Sequence, residues 1–146
     1  MSERCVFCRI IRGELPAYKV YEDERVLAFL DVNPSAPGHT LIIPKAHIAK
    51  VEDLPEEDAA ALFGALRGLV GGIQEAMDAP ASTIGINNGR ESGQEVLHVH
   101  IHVIPRSRGD RGGIIQGIAR GHRRPGVEEM ERIARRIREL AADTVK

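Results

Sequence analysis

The sequence predicts an α+β domain with a five-stranded, mostly antiparallel sheet, one long helix between strands three and four, and a C-terminal helix. Three observations predict it. Five short apolar segments are mostly joined by turn residues, as in antiparallel sheets. Apolar residues recur at helical spacing after Pro55 and again after Val127. The length of 146 residues, with 42% hydrophobic and 28% charged residues, fits a single domain over 1–146.

Turn and breaker residues divide the first half of the chain. A short helix over 5–12 ends at Gly13, and a loop rich in Pro, Asn and Gly covers 31–38. In chain order the predicted strands of this half are 18–22, 26–30 and 39–44. The long helix begins at Pro55 with three acidic residues near its positive end, and Pro80 ends it. Its predicted inward face is Leu62, Phe63, Leu66, Leu69, Val70, Ile73 and Met77.

The second half is predicted to contain two strands and the closing helix. A strand over 83–87 leads into a glycine-bearing loop over 89–95, and a strand over 96–104 is terminated by Pro105. An Arg- and Gly-rich irregular segment follows. The closing helix covers 127–142, and its predicted inward residues are Met130, Ile133, Ile137 and Leu140.

Composition argues against nucleic acid and membranes as partners. The net charge is −1, so no general attraction to an anionic polymer or surface is expected. Aromatic residues are only 3%, too few for base-stacking platforms. No apolar run approaches the ~18 residues that cross a bilayer. The charged N-terminus does not resemble a signal peptide, so a cytoplasmic location is expected.

The most informative segment is a run of three alternating histidines. Strand side chains alternate between faces, so His98, His100 and His102 should share one face, opposite three β-branched residues directed to the core. An exposed polar strand face would be the plain explanation, but three imidazoles in register make it weak. One metal held by all three is disfavoured, because the outer two lie ~13 Å apart at Cα. A third possibility is nucleophilic attack by a neutral imidazole on phosphorus.

The segment His98-Val99-His100-Ile101-His102-Val103-Ile104 resembles the signature of the histidine triad (HIT) family. The resemblance covers 5–106 and is closest to the bacterial branch, near nucleoside phosphoramidate and dinucleoside polyphosphate hydrolases. It is carried by further segments in the same order: Cys5–Ile11, Tyr21–Glu24, Leu27–Asp31, Pro37–His47, Asn87–Gly89 and Gly93–Val96.

This resemblance implies a homodimer that acts at the α-phosphate of a purine nucleotide conjugate, commonly of AMP. It implies His100 as the nucleophile that forms a nucleotidyl-histidine, with no metal required for catalysis. His102 would hydrogen-bond the phosphate or bridging atom, and His39 would lie behind His100. The nucleotide-binding residues implied are Asp31 for the ribose, Leu15, Phe29 and Val32 for the base, and Asn87 with amides around Gly93 and Gln94 for the phosphate.

Cys5-x-x-Cys8 has the spacing of half a zinc site. His47 and His98 are the spare candidates for the remaining ligands, and the resemblance implies the same four residues. A structural zinc is therefore expected. The alternative is a reduced, buried cysteine pair that packs the N-terminal helix.

Two features depart from the family pattern or remain without a role. Glu95 stands where many relatives have Ser or Thr, which leaves the leaving group undecided. The segment Arg106–Arg124 contains six Arg and one Asp. It could bind a polyphosphate tail or a second nucleotide, or it could be a solvated loop or subunit contact.

Three functions remain open on the sequence alone. The leading hypothesis is a nucleotidyl hydrolase or transferase acting through His100. The alternatives are a purine-nucleotide-binding regulatory protein with incidental hydrolysis, and a metalloenzyme that uses His100 and His102 as ligands.

Overall fold

The computed structural model describes residues 2–119, 121 and 123–145. The described chain separates into two compact units between Gly112 and Gly113. The single domain expected over 1–146 therefore stays a prediction. Arg120 and His122, within the Arg-rich segment, lie outside the described residues. No helix among the described residues is long and apolar enough to cross a membrane.

The first unit contains one five-stranded sheet with strand order β1-β2-β3-β5-β4, and every neighbouring pair is antiparallel. The predicted fold class is confirmed, because the long helix α2 lies between β3 and β4 in the chain. The strands are β1 (Lys19–Glu22), β2 (Val26–Leu30), β3 (Thr40–Pro44), β4 (Ala81–Gly85) and β5 (Ile101–Arg106). The helices are α1 (Val6–Ile11), α2 (Glu56–Ala76) and, in the second unit, α3 (Val127–Ala141).

Alternate residues of the central strands pack on opposite faces of the sheet. One face packs against α2, and its buried cluster is Val26, Ala28, Ile42, Leu62, Val99, Ile101 and Val103. The other face packs against α1, and its buried cluster is Cys5, Phe7, Cys8, Ile10, Leu27, Phe29, Leu41 and Ile43. The two-residue period of a strand therefore places α1 and the cysteines on one side of β2 and β3, and α2 on the other.

The histidine-bearing strand begins later than predicted, at Ile101 rather than at residue 96. The residues before Ile101 are not paired with β3. At the end of β3, the backbone carbonyl of Pro44 accepts a 2.7 Å hydrogen bond from the His98 ring, so this carbonyl is bonded to a side chain rather than to a neighbouring strand. The strand also continues through Pro105 instead of ending there. This is tolerated because the pairing of β5 with β3 extends only as far as Val103, so Pro105 pairs with β4 alone.

Three other boundary or facing predictions were wrong. Strand β4 begins and ends two residues earlier than the predicted 83–87. Phe63 and Met77 are 46% and 37% exposed, although the other residues of the predicted face of α2 pack on the core, and Met77 lies just past the end of the helix at Ala76. The predicted inward residues of α3 are all exposed, since the second unit is too short to enclose a core of its own.

Gly38 lies immediately before His39 in a left-handed conformation, with φ of +83°. A Cβ at this position would overlap the Met77 side chain and press on Pro105 at 3.2 Å. Gly13 has a similar φ of +76° but has open space around it. A side chain at either glycine would strain the backbone, but only at Gly38 would it also overlap neighbouring atoms.

We expect Gly38→Ala to lower the free energy of unfolding by about 2 kcal/mol, because it adds overlap to strain. Gly13→Ala should cost about 1 kcal/mol from strain alone. Urea unfolding of both variants measures the difference. Equal losses would show that the contact with Met77 yields without cost.

Candidate active site and candidate metal centre

The structure brings the two cysteines together with two histidines from elsewhere in the chain. The ligand atoms of Cys5, Cys8, His47 and His98 all lie within 4.8 Å of one another. The sulfur of Cys8 is 3.3 Å from His47 Nδ1 and 3.7 Å from His98 Nδ1, and the Cys5 sulfur is 3.6 Å from His98 Nδ1. Helix α1 supplies Cys8 and is preceded by Cys5, so one helical turn carries both sulfurs.

The proton of the His98 ring is placed by the backbone. Its Nε2–H donates to the Pro44 carbonyl at 2.7 Å, which leaves the lone pair of Nδ1 directed at the sulfurs. Burial lowers the pKa of His98 to about 4, so the ring is neutral near pH 7. Burial also raises the pKa of the Cys5 thiol, so without a cation that thiol stays protonated.

These four residues fit a zinc ion. Two sulfurs and two imidazole nitrogens form a ligand set that zinc commonly takes. In a tetrahedral site with bonds of about 2.0–2.3 Å, neighbouring ligand atoms lie about 3.3–3.8 Å apart, as the sulfur–nitrogen distances here do. The bond from His98 to a carbonyl is the outer-shell contact that orients a ligating histidine.

The orientation of the His100 ring is fixed by the backbone. Its Nδ1–H donates to the His98 carbonyl at 2.7 Å, so the neutral form of the ring has its lone pair on Nε2. The side chain is buried, and its ring packs edge-on against Phe7 of α1 at 5.1 Å between centroids. This arrangement presents a nucleophilic nitrogen in a defined orientation.

The proton of His102 is placed by a chain that starts at the backbone. The Ser35 N–H donates to His39 Nδ1 at 3.0 Å, so the hydrogen of His39 lies on Nε2. That Nε2–H donates to His102 Nδ1 at 2.9 Å, and the hydrogen of His102 is then on its Nε2. This nitrogen is buried and has no partner among the described residues. Buried polar groups normally have a partner, so this unpaired donor is a candidate ligand contact.

Both rings of this pair are neutral near pH 7. Burial, together with the neighbouring His100 and His39, lowers the pKa of His102 to about 4. Burial also lowers the pKa of His39 against the opposing effect of Asp31. The hydrogen-bond partner of His39 is His102, and its expected place behind His100 stays a prediction.

Asp31, His39 and His102 also lie close enough to hold a cation. The hydrogen-bond pattern argues against it. A metal on Nε2 of His39 would require the proton to move to Nδ1, where the Ser35 N–H already donates. This group is better described as a proton-placing chain than as a metal site.

A cavity of about 470 Å³ opens beside His100 and His102, within the usual size for a small-molecule site. Of the predicted nucleotide-binding residues, Asp31, Phe29, Val32, Asn87 and Gly93 line it. Leu15 does not; it packs against the core cluster beside α1, and its neighbours Pro16 and Ala17 line the cavity instead. The sequence analysis missed nine lining residues, namely Val6, Phe7, Ile10, Pro16, Ala17, Leu30, Asn33, Leu41 and Val96. Glu95, which it left without a role, also lines the cavity.

Gln94 is absent from the cavity because its side chain holds the preceding loop. Its Oε1 accepts from the Gly89 N–H at 2.8 Å, and its Nε2 donates to the Ala49 carbonyl at 2.7 Å. The backbone N–H groups of Gly93 and Gln94 donate to Arg90 and Gly89 at 3.0 and 3.3 Å. These amides, expected to meet a phosphate, are engaged within the loop in this structure.

The HIT domain family model matches residues 12–109. The chain belongs to the HIT family. An uncharacterised HIT-like protein of Methanocaldococcus jannaschii is 46% identical over 106 residues, covering 73% of this chain and 81% of that protein. An adenosine 5'-monophosphoramidase of Saccharomyces cerevisiae is 42% identical over 117 residues, covering 80% and 71%. An adenylylsulfatase of Arabidopsis thaliana is 43% identical over 110 residues, covering 75% and 56%.

Solved structures agree with the family assignment. A protein of Streptococcus mutans superposes with a TM-score of 0.87 at 35% identity, covering 96% of this chain and 87% of that one. A zinc-bound histidine triad family protein of Mycobacterium smegmatis gives a TM-score of 0.70 at 35% identity, covering 97% and 98%.

The tautomer of His102 in this HIT protein can be measured directly. We expect nitrogen NMR of the ring of His102 to show a neutral imidazole with hydrogen on Nε2 down to about pH 5, since its pKa is lowered to about 4. A second measurement concerns stability. The free energy of unfolding should fall less in His102→Asn than in wild type when the pH is lowered from 6.5 to 4. In that window the unfolded chain binds a proton that folded His102 does not, so stability falls as the pH falls.

After allowance for solvent screening, His102→Asn should reduce this acid-dependent loss by about 1 kcal/mol, as measured by urea unfolding at pH 7.5 and 5.0. Hydrogen on Nδ1 of His102 would contradict the chain from Ser35. An unchanged pH dependence in the variant would contradict the lowered pKa.

Proposed function

We propose that this HIT protein is a nucleotide hydrolase that cleaves AMP-type purine nucleotide conjugates at the α-phosphate, with His100 as the nucleophile. The observation that carries the proposal is the pair of rings in the cavity. Nε2 of His100 has a lone pair, Nε2 of His102 has an unpartnered hydrogen, and the ring centroids are 4.9 Å apart. Relatives named as an adenosine 5'-monophosphoramidase and an adenylylsulfatase support the substrate class.

In the proposed first step, the lone pair on Nε2 of His100 forms a bond to the α-phosphorus. The bond from phosphorus to the leaving group breaks, and the leaving group takes its proton from water. His102 Nε2–H donates a hydrogen bond to the bridging atom or a phosphoryl oxygen, where negative charge develops. A neutral imidazole nucleophile does not meet the charge repulsion that an anionic nucleophile would meet at a phosphate.

In the second step, water attacks the same phosphorus and the bond to His100 breaks. The nucleoside monophosphate leaves, the water's proton passes to solvent, and Nε2 of His100 recovers its lone pair. The Nδ1–H bond to the His98 carbonyl keeps the ring in the same orientation through both steps. Two easier displacements therefore replace one difficult one.

The remaining lining residues suit a nucleoside. Phe29 and Leu41 offer buried apolar surface to a base, with Val32 exposed at the mouth. Asp31 lies at the end of β2, and its Oδ1 accepts from the Asn33 N–H at 2.8 Å. Its carboxylate is proposed to accept hydrogen bonds from ribose hydroxyls.

A homodimer and a structural zinc belong to the same proposal. The exposed apolar face of α3 supports association, because an isolated unit of this size does not bury a core. Cys5, Cys8, His47 and His98 would hold the zinc and tie α1 to the ends of β3 and β5. When bound, the metal supplies structural cross-linking through two thiolates, and catalysis uses other residues.

We expect wild-type protein mixed with labelled adenosine 5'-phosphoramidate and quenched in alkaline detergent to carry a labelled nucleotide. His100→Ala should carry none, and its hydrolysis rate should fall on the order of 10³-fold. Ligand-induced stabilisation of the variant shows whether the fold and the binding cavity persist. Wild-type turnover by His100→Ala would refute the proposal. Binding by wild type without any adduct would favour the nucleotide-binding alternative.

The zinc is tested by metal analysis of the purified protein. We expect about one zinc per chain, and Cys5→Ser/Cys8→Ser should lose it. The melting temperature should fall by about 10 °C, because binding energy of a structural metal is folding energy. The variant should still form the His100 adduct at a temperature below its own transition. Metal-free protein with an unchanged melting temperature would remove the claim.

A further inference from the structure

The cavity beside His100 has an unusual charge balance for a site that takes a phosphate ester. Its ionisable lining residues are Asp31, Glu95, His100 and His102. No Lys or Arg lines it within the part of the chain that the structure describes. The fixed charges facing a ligand are therefore two carboxylates.

The two carboxylates differ in the contacts that they make with the rest of the protein. Asp31 accepts a backbone N–H and lies 3.7 Å from His39 Nε2, with its side chain 19% exposed. Glu95 is exposed and has no hydrogen bond or ion pair among the described residues. A lining residue that is also exposed lies at the mouth of the cavity. There its negative charge is available to whatever part of a ligand extends outward.

Leaving groups differ mainly in charge. Sulfate, phosphate and polyphosphate add negative charge beyond the α-phosphate, and proteins bind such groups with Arg, Lys or free backbone amides. The amides of Gly93 and Gln94 are already bonded within their loop. A carboxylate at the mouth would repel an anionic leaving group and attract a cationic one.

We propose that Glu95 selects the leaving group, favouring conjugates whose leaving amine carries a further positive charge and disfavouring those whose leaving group carries a negative charge. The inference rests on the proposed function and names the substrate class for the same site. In the proposed function the α-phosphate itself contacts His100 and His102. The selection therefore acts on the part of the substrate that departs.

The test uses three adenosine 5'-phosphoramidates whose leaving amines have the same length. They are formed from 1,5-diaminopentane, pentylamine and 5-aminopentanoate, so only the distal group changes, from ammonium to methyl to carboxylate. The specificity constant kcat/KM is measured for each at low ionic strength. Wild type should rank them in that order, with the ammonium substrate about tenfold above the carboxylate substrate.

Glu95→Gln keeps the size of the side chain and removes its charge. We expect it to bring the ratio of the two charged substrates to within about twofold of unity. Glu91→Gln is the matched control, since Glu91 is exposed on the same loop but does not line the cavity. It should retain the wild-type ratio. Added salt should reduce the ratio for wild type and leave it unchanged for Glu95→Gln.

The outcomes separate this inference from the proposed function. Turnover of all three substrates with the same ratio in wild type and Glu95→Gln overturns the role of Glu95 alone. A wild-type preference for the carboxylate substrate overturns it as well. If none of the three is hydrolysed and no adduct forms on His100, the proposed function fails and the inference fails with it.

Discussion

The chemistry available to this protein depends on which nitrogen of each triad histidine carries a hydrogen. Two backbone carbonyls and one backbone N–H decide it. Pro44 takes the Nε2–H of His98, and His98 takes the Nδ1–H of His100. The Ser35 N–H acts through His39 on His102. Three chemically identical side chains thereby differ in what they offer: His98 directs a lone pair at the cysteine sulfurs, neutral His100 has a lone pair on Nε2, and His102 has an unpartnered donor.

This division needs burial as well as hydrogen bonds. In water a histidine exchanges between tautomers and is partly protonated near neutral pH. Burial lowers the pKa of His98 and of His102 to about 4, which keeps both rings uncharged. The two hydrophobic clusters on either side of the sheet therefore help to fix these tautomers, because they exclude the water that would exchange the protons.

Much of the fold was predictable because it follows local periodicity. Alternation predicted that Val99, Ile101 and Val103 face the core, and all three are buried against α2. The late start of β5 was not predictable, since it depends on a side chain that bonds the carbonyl of a residue 54 positions away. The pairing of His39 with His102 joins two strands in a similar way. Nothing in the spacing of either residue indicates which histidine lies opposite.

The site was predictable where residues are chemically distinctive and not where they are merely apolar. Cys5, Cys8 and the triad stand out by type, whereas Val6, Phe7 and Ile10 read as ordinary helix residues. Their position in the cavity wall follows from the packing of α1 against the face of the sheet opposite α2. The exposed stripe on α3 shows the converse, because amphipathic spacing indicates that a face should be covered but not by what.

Helix α1 is only six residues long, and a helix of this length is not stable in isolation. It nevertheless carries Cys8, with Cys5 at its start, and the three apolar residues that wall the cavity. Phe7 packs edge-on against Phe29, His98 and His100, so one ring touches the proposed base-binding wall, the cluster of cysteines and histidines, and the proposed nucleophile. Any attempt to redesign that wall must therefore treat the cysteine pair as part of the pocket, even though no sulfur atom reaches it.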